Sequence, residues 1–263
     1  MSGPERLTYG SYLALDELLA AQRPRTDQPD ELLFIVIHQV YELWFKQLLH
    51  EAARAQASLA GGGAPGAARA LERMLTILKT VVAQVDVLET MTPSQFAAFR
   101  DALDSSSGFQ SAQFRELEVI LGRRDERALR PFPPDSPERA RITAAMGRPS
   151  LFDGLLACLA GSGYAIPGAV LAREVSAAYE PSAGVRAALL RVYADDGPEA
   201  ALCERMVDLD EGVMEWRYRH VQMVRRMIGS KPGTGGSAGV DYLASTLMQP
   251  AFADLWAVRG EIG

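Results

Sequence analysis

The stretch "DELLFIVIHQVYELWFKQLLHEAARAQASLA", residues 30–60, decides the fold. It holds neither proline nor glycine, and its apolar residues recur three and four apart instead of alternating, which is the spacing of an α-helix. Leu32, Leu33, Val36, Val40, Leu43 and Leu48 are candidates for its buried side. Near its start the helix is apolar on more than one face, so that end is expected in the interior. One histidine, His38, sits within the greasy, aromatic run "FIVIHQVYELWF".

The same period extends both ways. Residues 8–22, "TYGSYLALDELLAAQ", predict a helix with Tyr12, Leu15, Leu18 and Leu19 on one side, before "RPRTDQPD" breaks the pattern with two prolines. "GGGAPGA" at 61–67 reads as a flexible turn, and a second long helix is expected over about 67–90. "TPSQ" at 92–95 is a start signal: Thr92 caps, Pro93 takes the first helical position and Gln95 completes a capping box. "SSSGFQSAQ" interrupts, and helix resumes to about Gly122. "RPFPPDSPE" is a proline-rich link, Ser150 can cap "LFDGLLACLA", and "GSGYAIPG" is a loop. Residues 182–195 and 198–228 are helical again. With little strand alternation anywhere, the fold class is all-α, framed by two or three long helices of about 25–30 residues.

The chain has 263 residues, which suits one all-helical domain spanning 1–263. A net charge of -6 argues against a duplex nucleic-acid partner, which calls for a basic stripe. Cys158 and Cys203 are far apart with no CxxC, so a reduced chain is expected. "MSGPERLTYG" has no apolar core and no run approaches 18 apolar residues, so the expectation is a cytoplasmic chain with no membrane partner.

Chemistry concentrates at residues 220–239, "HVQMVRRMIGSKPGTGGSAG". The glycines do not make a phosphate loop. Lys231 precedes them, a helix and not a strand comes before, and no βαβ pattern exists. Gly229 can cap the helix, but Gly233, Gly235, Gly236 and Gly239 exceed what a cap needs, so backbone close to a ligand or a mobile cover is expected. The three histidines, His38, His50 and His220, lack zinc-ligand spacing. A haem asks for less: one axial histidine and a tuned pocket opposite. His220 and His38 could fill those parts on facing helices, and some of Arg217, Arg219, Arg225 and Arg226 could meet haem propionates. Two buried structural histidines and a solvated basic face would account for the same residues, and composition leaves both readings open.

In "LTYGSYLALDELLAAQ", "DELLFIVIHQVYELWFKQLLHE", "VLETMTPSQFAAFRDALDSSSGFQSAQFRELE", "GYAIP", "LDEGVMEWRYRHVQMVRRMIGSKPGTGGSAGVDYL" and "LWAVR", the chain resembles the tryptophan 2,3-dioxygenases of the short bacterial type. The blocks run in family order from residue 7 to about 259. The resemblance implies an all-α, haem-binding bundle of the indoleamine/tryptophan 2,3-dioxygenase type. It implies a homotetramer, a dimer of dimers, in which the N-terminal segment 1–25 contributes to a neighbouring subunit. The implied cofactor is haem b, active when ferrous, with O2 as co-substrate. The implied reaction opens the indole of L-tryptophan at C2–C3 to give N-formyl-L-kynurenine, the first step of tryptophan catabolism in the kynurenine pathway.

The resemblance also assigns expected roles. His220 matches the axial ligand of the haem iron, and Phe114 extends the wall of that pocket. His38 matches the distal histidine that meets the indole N–H, and Phe34 the ring that packs on the indole. Arg100 matches the carboxylate clamp and Thr234 a substrate contact in the glycine-rich loop. Phe96 and Leu103 match apolar pocket residues on the face of Arg100, Ser107 a serine beside the haem, and Tyr9 and Tyr12 tyrosines that reach a neighbouring subunit's pocket. Val40, Ala238 and Asp241 depart from the family pattern. Relatives that oxygenate methylated tryptophans in biosynthesis, adding one oxygen atom, are the nearest alternative. A non-catalytic haem sensor or structural helical oligomer is the alternative of a different class.

Overall fold

A computed structural model describes residues 6–231, 233 and 240–263, with Asp241 and Tyr242 described by backbone alone. Thirteen α-helices occur among them, and no strand. Two short helices, α1 (Tyr9–Leu13) and α2 (Leu15–Leu19), precede the long α3 (Pro29–Ala60) and α4 (Ala64–Leu88). Then come α5 (Pro93–Arg100), α6 (Ala112–Leu121), α7 (Pro137–Met146), α8 (Leu151–Gly161) and α9 (Gly168–Leu171). The chain closes with α10 (Ala183–Asp195), the long α11 (Pro198–Ile228), α12 (Val240–Ser245) and α13 (Ala253–Ala257).

Helices α3 and α11 both pack along α4, while α6 and α8 close against α3. Gly212 brings α11 close to α4: a Cβ there would stand 3.0 Å from Leu75 Cδ1. The local start and stop signals hold. Thr92 and Gln95 make the capping box of α5, Ser150 and Asp153 that of α8, and Gly229, at φ 61°, caps α11 by donating its N–H to the Arg225 carbonyl at 2.9 Å.

The buried side of α3 is not the one the aliphatic spacing predicts. Ile37, Tyr41, Phe45, Leu48, Ala52 and Leu59 are buried, and of the six expected residues only Leu48 is among them. Leu32, Val36 and Leu43 are 48%, 38% and 50% exposed. Two stripes of α3 share the three-and-four spacing, and the more aromatic one is met by Phe114 of α6 and Trp216 of α11, both beside Phe45. The apolar start of α3 is therefore not interior within one chain. By length and composition α3 could cross a bilayer, but here it is the strut on which α4, α6 and α8 pack.

The expected single helix over 8–22 is also corrected. Ala14 adopts left-handed backbone, φ 49° and ψ 45°, and splits it into α1 and α2. Tyr12, Leu18 and Leu19 remain 71%, 39% and 70% exposed, so most of the predicted apolar side is left uncovered by the described residues. Buried carboxylates tie the following segments down. Glu31 accepts from the Arg25 N–H, the Thr26 N–H and the Thr26 hydroxyl, and these bonds hold its carboxyl below its ordinary value. Asp210 of α11 accepts from the N–H groups of Ala251 and Phe252 and from the Trp256 indole, at 2.9–3.1 Å.

Candidate active site

Because α3 and α11 share α4 as a support, their facing sides form the walls of a cleft. It is completed by α5 and α6, and its empty space, mouth included, is about 1920 Å³. An aromatic chain runs round it. Phe34 lies 5.8 Å from Phe96 and 5.6 Å from Phe99, Phe45 lies 5.3 Å from Phe114, and Phe114 lies 4.5 Å from Trp216, all between ring centroids.

His38 and His220 both line this cleft, from α3 and α11. His38 Nδ1 is 2.7 Å from the Phe34 carbonyl oxygen, one turn back along the helix. A carbonyl can only accept, so Nδ1 carries the proton and Nε2 keeps a free lone pair. Burial lowers the pKa of His38, against the opposing pull of that carbonyl and of Glu42. The Phe34 ring sits 4.0 Å from the His38 ring. Across the cleft, His220 lies flat on Trp216 at 5.1 Å and 5°. Its pKa falls to about 4 through burial first, then the nearby His38 and Arg115. Both rings are thus neutral near pH 7, and a neutral imidazole is the form that binds a metal.

The remaining expected residues divide. Arg100, at the end of α5, Phe96 one turn earlier, Ser107 and Phe114 all line the cleft. Ser107 caps a turn over Gly108–Gln110, its hydroxyl accepting from the Phe109 N–H at 3.3 Å. Leu103 does not join them. It ends the 3-10 turn Asp101–Leu103 that follows α5 directly, and it packs half-buried against the core. Tyr9 and Tyr12, 77% and 71% exposed, lie outside this chain's cleft. Val40 is half-buried and off the cleft wall. Thr234 and Ala238 lie outside the described residues, as does the expected closure of their loop, although Gly233 lines the cleft.

Several wall residues were not singled out from sequence. Trp216 precedes His220 by four, a same-face spacing that could have flagged it. Arg115, Glu118 and Arg123 come from "FRELEVILGRR", whose charges carry no local signal of burial. Of the arginines expected near a haem, only Arg217 reaches the cleft. Arg219 pairs with Asp86 at 2.6 Å, and Arg226 stands 3.7 Å from Glu89.

A family model described as tryptophan 2,3-dioxygenase matches residues 2–132 and 149–262. A protein of Anaeromyxobacter dehalogenans (strain 2CP-C) named tryptophan 2,3-dioxygenase is 65% identical over 257 residues, covering 97% of this chain and 96% of its own. Like-named proteins of Herpetosiphon aurantiacus and Caulobacter vibrioides are 52% and 48% identical, over 98% and 97% of this chain and 99% and 98% of theirs.

Proposed function

The chain belongs to the tryptophan 2,3-dioxygenase family, and from that premise we propose which of its residues carry the reaction. It is a haem-dependent oxidoreductase that cleaves the indole C2–C3 bond of L-tryptophan with O2, giving N-formyl-L-kynurenine at the first step of tryptophan catabolism. The observation that supports the residue assignment best is the pair of neutral imidazoles on opposite walls of one aromatic cleft.

The cleft fits a flat iron porphyrin. His220 is neutral, and none of the described residues hydrogen-bonds either of its ring nitrogens. The walls are rings that can sandwich an apolar disc. In this reading His220 would hold the iron, and Phe114 and Ser107 would border the ring. Haem b, ferrous when active, supplies the activation of O2.

The protein's own residues then bind and orient. Arg100 clamps the substrate carboxylate with its planar fork. Thr234 contacts the amino-acid end from the glycine-rich loop. Phe34 and Phe96 hold the indole flat. His38 Nε2, the free acceptor, takes a hydrogen bond from the indole N–H and so fixes the ring's rotation. It orients without deprotonating: an indole N–H is a very weak acid, and an imidazole of lowered pKa is a poor base. The same walls keep water from the reacting carbons.

The exposed apolar stripe of α3 and the largely exposed α1–α2 segment support a homotetramer in which Tyr9 and Tyr12 complete a neighbour's pocket. Residues 1–263 act as one all-helical domain of a cytoplasmic enzyme in this reading. The test is His220→Ala: stable haem binding and its Soret spectrum are lost. Retention of one haem per chain with the unaltered spectrum overturns the assignment.

A further inference from the structure

Three guanidinium groups converge on one carboxylate in the wall beside His220. Arg115 Nη1 donates to Glu118 Oε2 at 2.5 Å. Arg217 Nη2 and Arg123 Nη1 donate to Glu118 Oε1 at 2.9 and 3.3 Å. All four residues line the cleft that holds both histidines. The cluster is well inside the protein, with side chains of Arg217, Arg115 and Arg123 only 7%, 15% and 22% exposed.

The charges do not balance. Three cations against one carboxylate leave a formal excess of two positive charges. Neighbouring acids offset it only in part, Asp125 acting on Arg127 first and on Arg123 at longer range. Asp125 pairs with Arg127 at 2.8 Å. Asp210 attracts Arg217 at longer range but is hydrogen-bonded to two backbone N–H groups and an indole. Burial accordingly pulls the Arg217 guanidinium below its ordinary value, with Arg123 pushing the same way and Glu118 opposing. Uncompensated buried cations cost several kcal/mol each, and apolar residues of similar volume are often as stable or more so. Fold stability alone is therefore a poor reason for the cluster, whereas an anion entering the cleft answers it.

The position says which anion. Arg217 lies one helical turn before His220, at a spacing that sets Cβ atoms about 5–6 Å apart. Arg115 follows Phe114, whose ring lies 4.5 Å from Trp216, the ring on which His220 stacks. Its guanidinium also lies over the rings of Phe109 and Phe114, at 5.6 and 5.4 Å, which fixes its direction. We propose that Arg115, Arg123 and Arg217, held in register by Glu118, anchor the two propionate arms of the haem. The anchor rests on the reading of His220 as the iron ligand. The propionates supply negative charge of the sign that the cluster lacks. His220 would then hold the iron while the arginines stop the porphyrin turning in its plane.

The experiment compares haem b with its dimethyl ester, which keeps the iron and ring but carries no propionate charge. Affinity is read from Soret titration and from the rate of haem transfer to excess apomyoglobin. Wild-type protein is expected to bind the ester at least tenfold more weakly than the acid. Arg115→Gln, the more accessible change, is expected to weaken haem b about tenfold while leaving the ester unchanged, so the preference shrinks. Arg217→Met is expected to act the same way if it folds. His220→Ala is expected to weaken acid and ester alike, which separates failure of the ligand assignment from failure of the anchor. Equal affinity of acid and ester for wild type overturns the proposal. So does an Arg115→Gln variant that loses both porphyrins equally, or one in which only the KM for tryptophan rises and the cluster serves the substrate.

Discussion

Acid should destabilise the haem-free protein through His220, by an amount that follows from its surroundings. Its pKa lies at about 4 in the folded chain, against an ordinary value of 6.5. Between those values the unfolded chain holds a proton that the folded one refuses. Stability contributed by the neutral ring is therefore complete above the unfolded value and falls as pH drops toward the folded one. At about 1.4 kcal/mol per pKa unit the whole window is worth roughly 3 kcal/mol, of which about 2 kcal/mol is lost by pH 5. The assay is urea unfolding of haem-free wild type and His220→Leu, at about pH 7 and about pH 5. Leucine removes the titration and keeps an apolar side chain over Trp216. The stability gap between the two should shift against wild type by about 2 kcal/mol between those conditions. A gap constant to within about 0.5 kcal/mol would refute a buried neutral imidazole at this position.

Three further outcomes follow from the same geometry. Arg100→Gln should raise the KM for L-tryptophan at least about 30-fold, since a charge-assisted pair is worth roughly 2 kcal/mol or more, with haem content unchanged; steady-state kinetics beside the Soret absorbance check it. Protonation of His38 would place a hydrogen on the acceptor Nε2, so kcat/KM should fall with acid, its inflection below the ordinary value of 6.5, and His38→Asn should remove that limb of the profile. Asp210→Ala would leave two backbone N–H groups and an indole N–H buried without an acceptor, destabilising by about 3 kcal/mol and lowering Tm by roughly 6–12 °C in calorimetry.

What was legible in the chain was local. The ends of α5, α8 and α11 could be read because a cap is chemistry between residues three or four apart. That α3 is a helix followed from the absence of breakers. Which of its stripes is buried did not, because the exposed Leu32, Val36 and Leu43 and the buried Ile37, Tyr41 and Phe45 keep the same period, and the choice belongs to the helices packed around α3. The break at Ala14 carries no sequence signal, since alanine favours helix and rarely adopts left-handed backbone. The resemblance to a family led to His38, Phe34, Phe96, Arg100, Ser107, Phe114 and His220, all of which meet in one cleft. It led to Leu103 as well, which packs against the core instead of lining the cleft. The arginine cluster was hidden for another reason: Arg217 and Glu118 stand 99 residues apart, and only the packed helices bring their charges together.

The bond from His38 to the Phe34 carbonyl has a consequence for how the enzyme can change over generations. A side-chain partner can be lost by one codon. A main-chain carbonyl is present whatever residue occupies position 34, so long as α3 remains a helix. Replacing Phe34 would alter the cleft wall while His38 keeps its proton on the same nitrogen. On the proposed assignment, the shape of the substrate site can thus drift toward other indoles without disturbing the group assigned to receive their N–H, which makes residue 34 the freer of the two positions for altering substrate range.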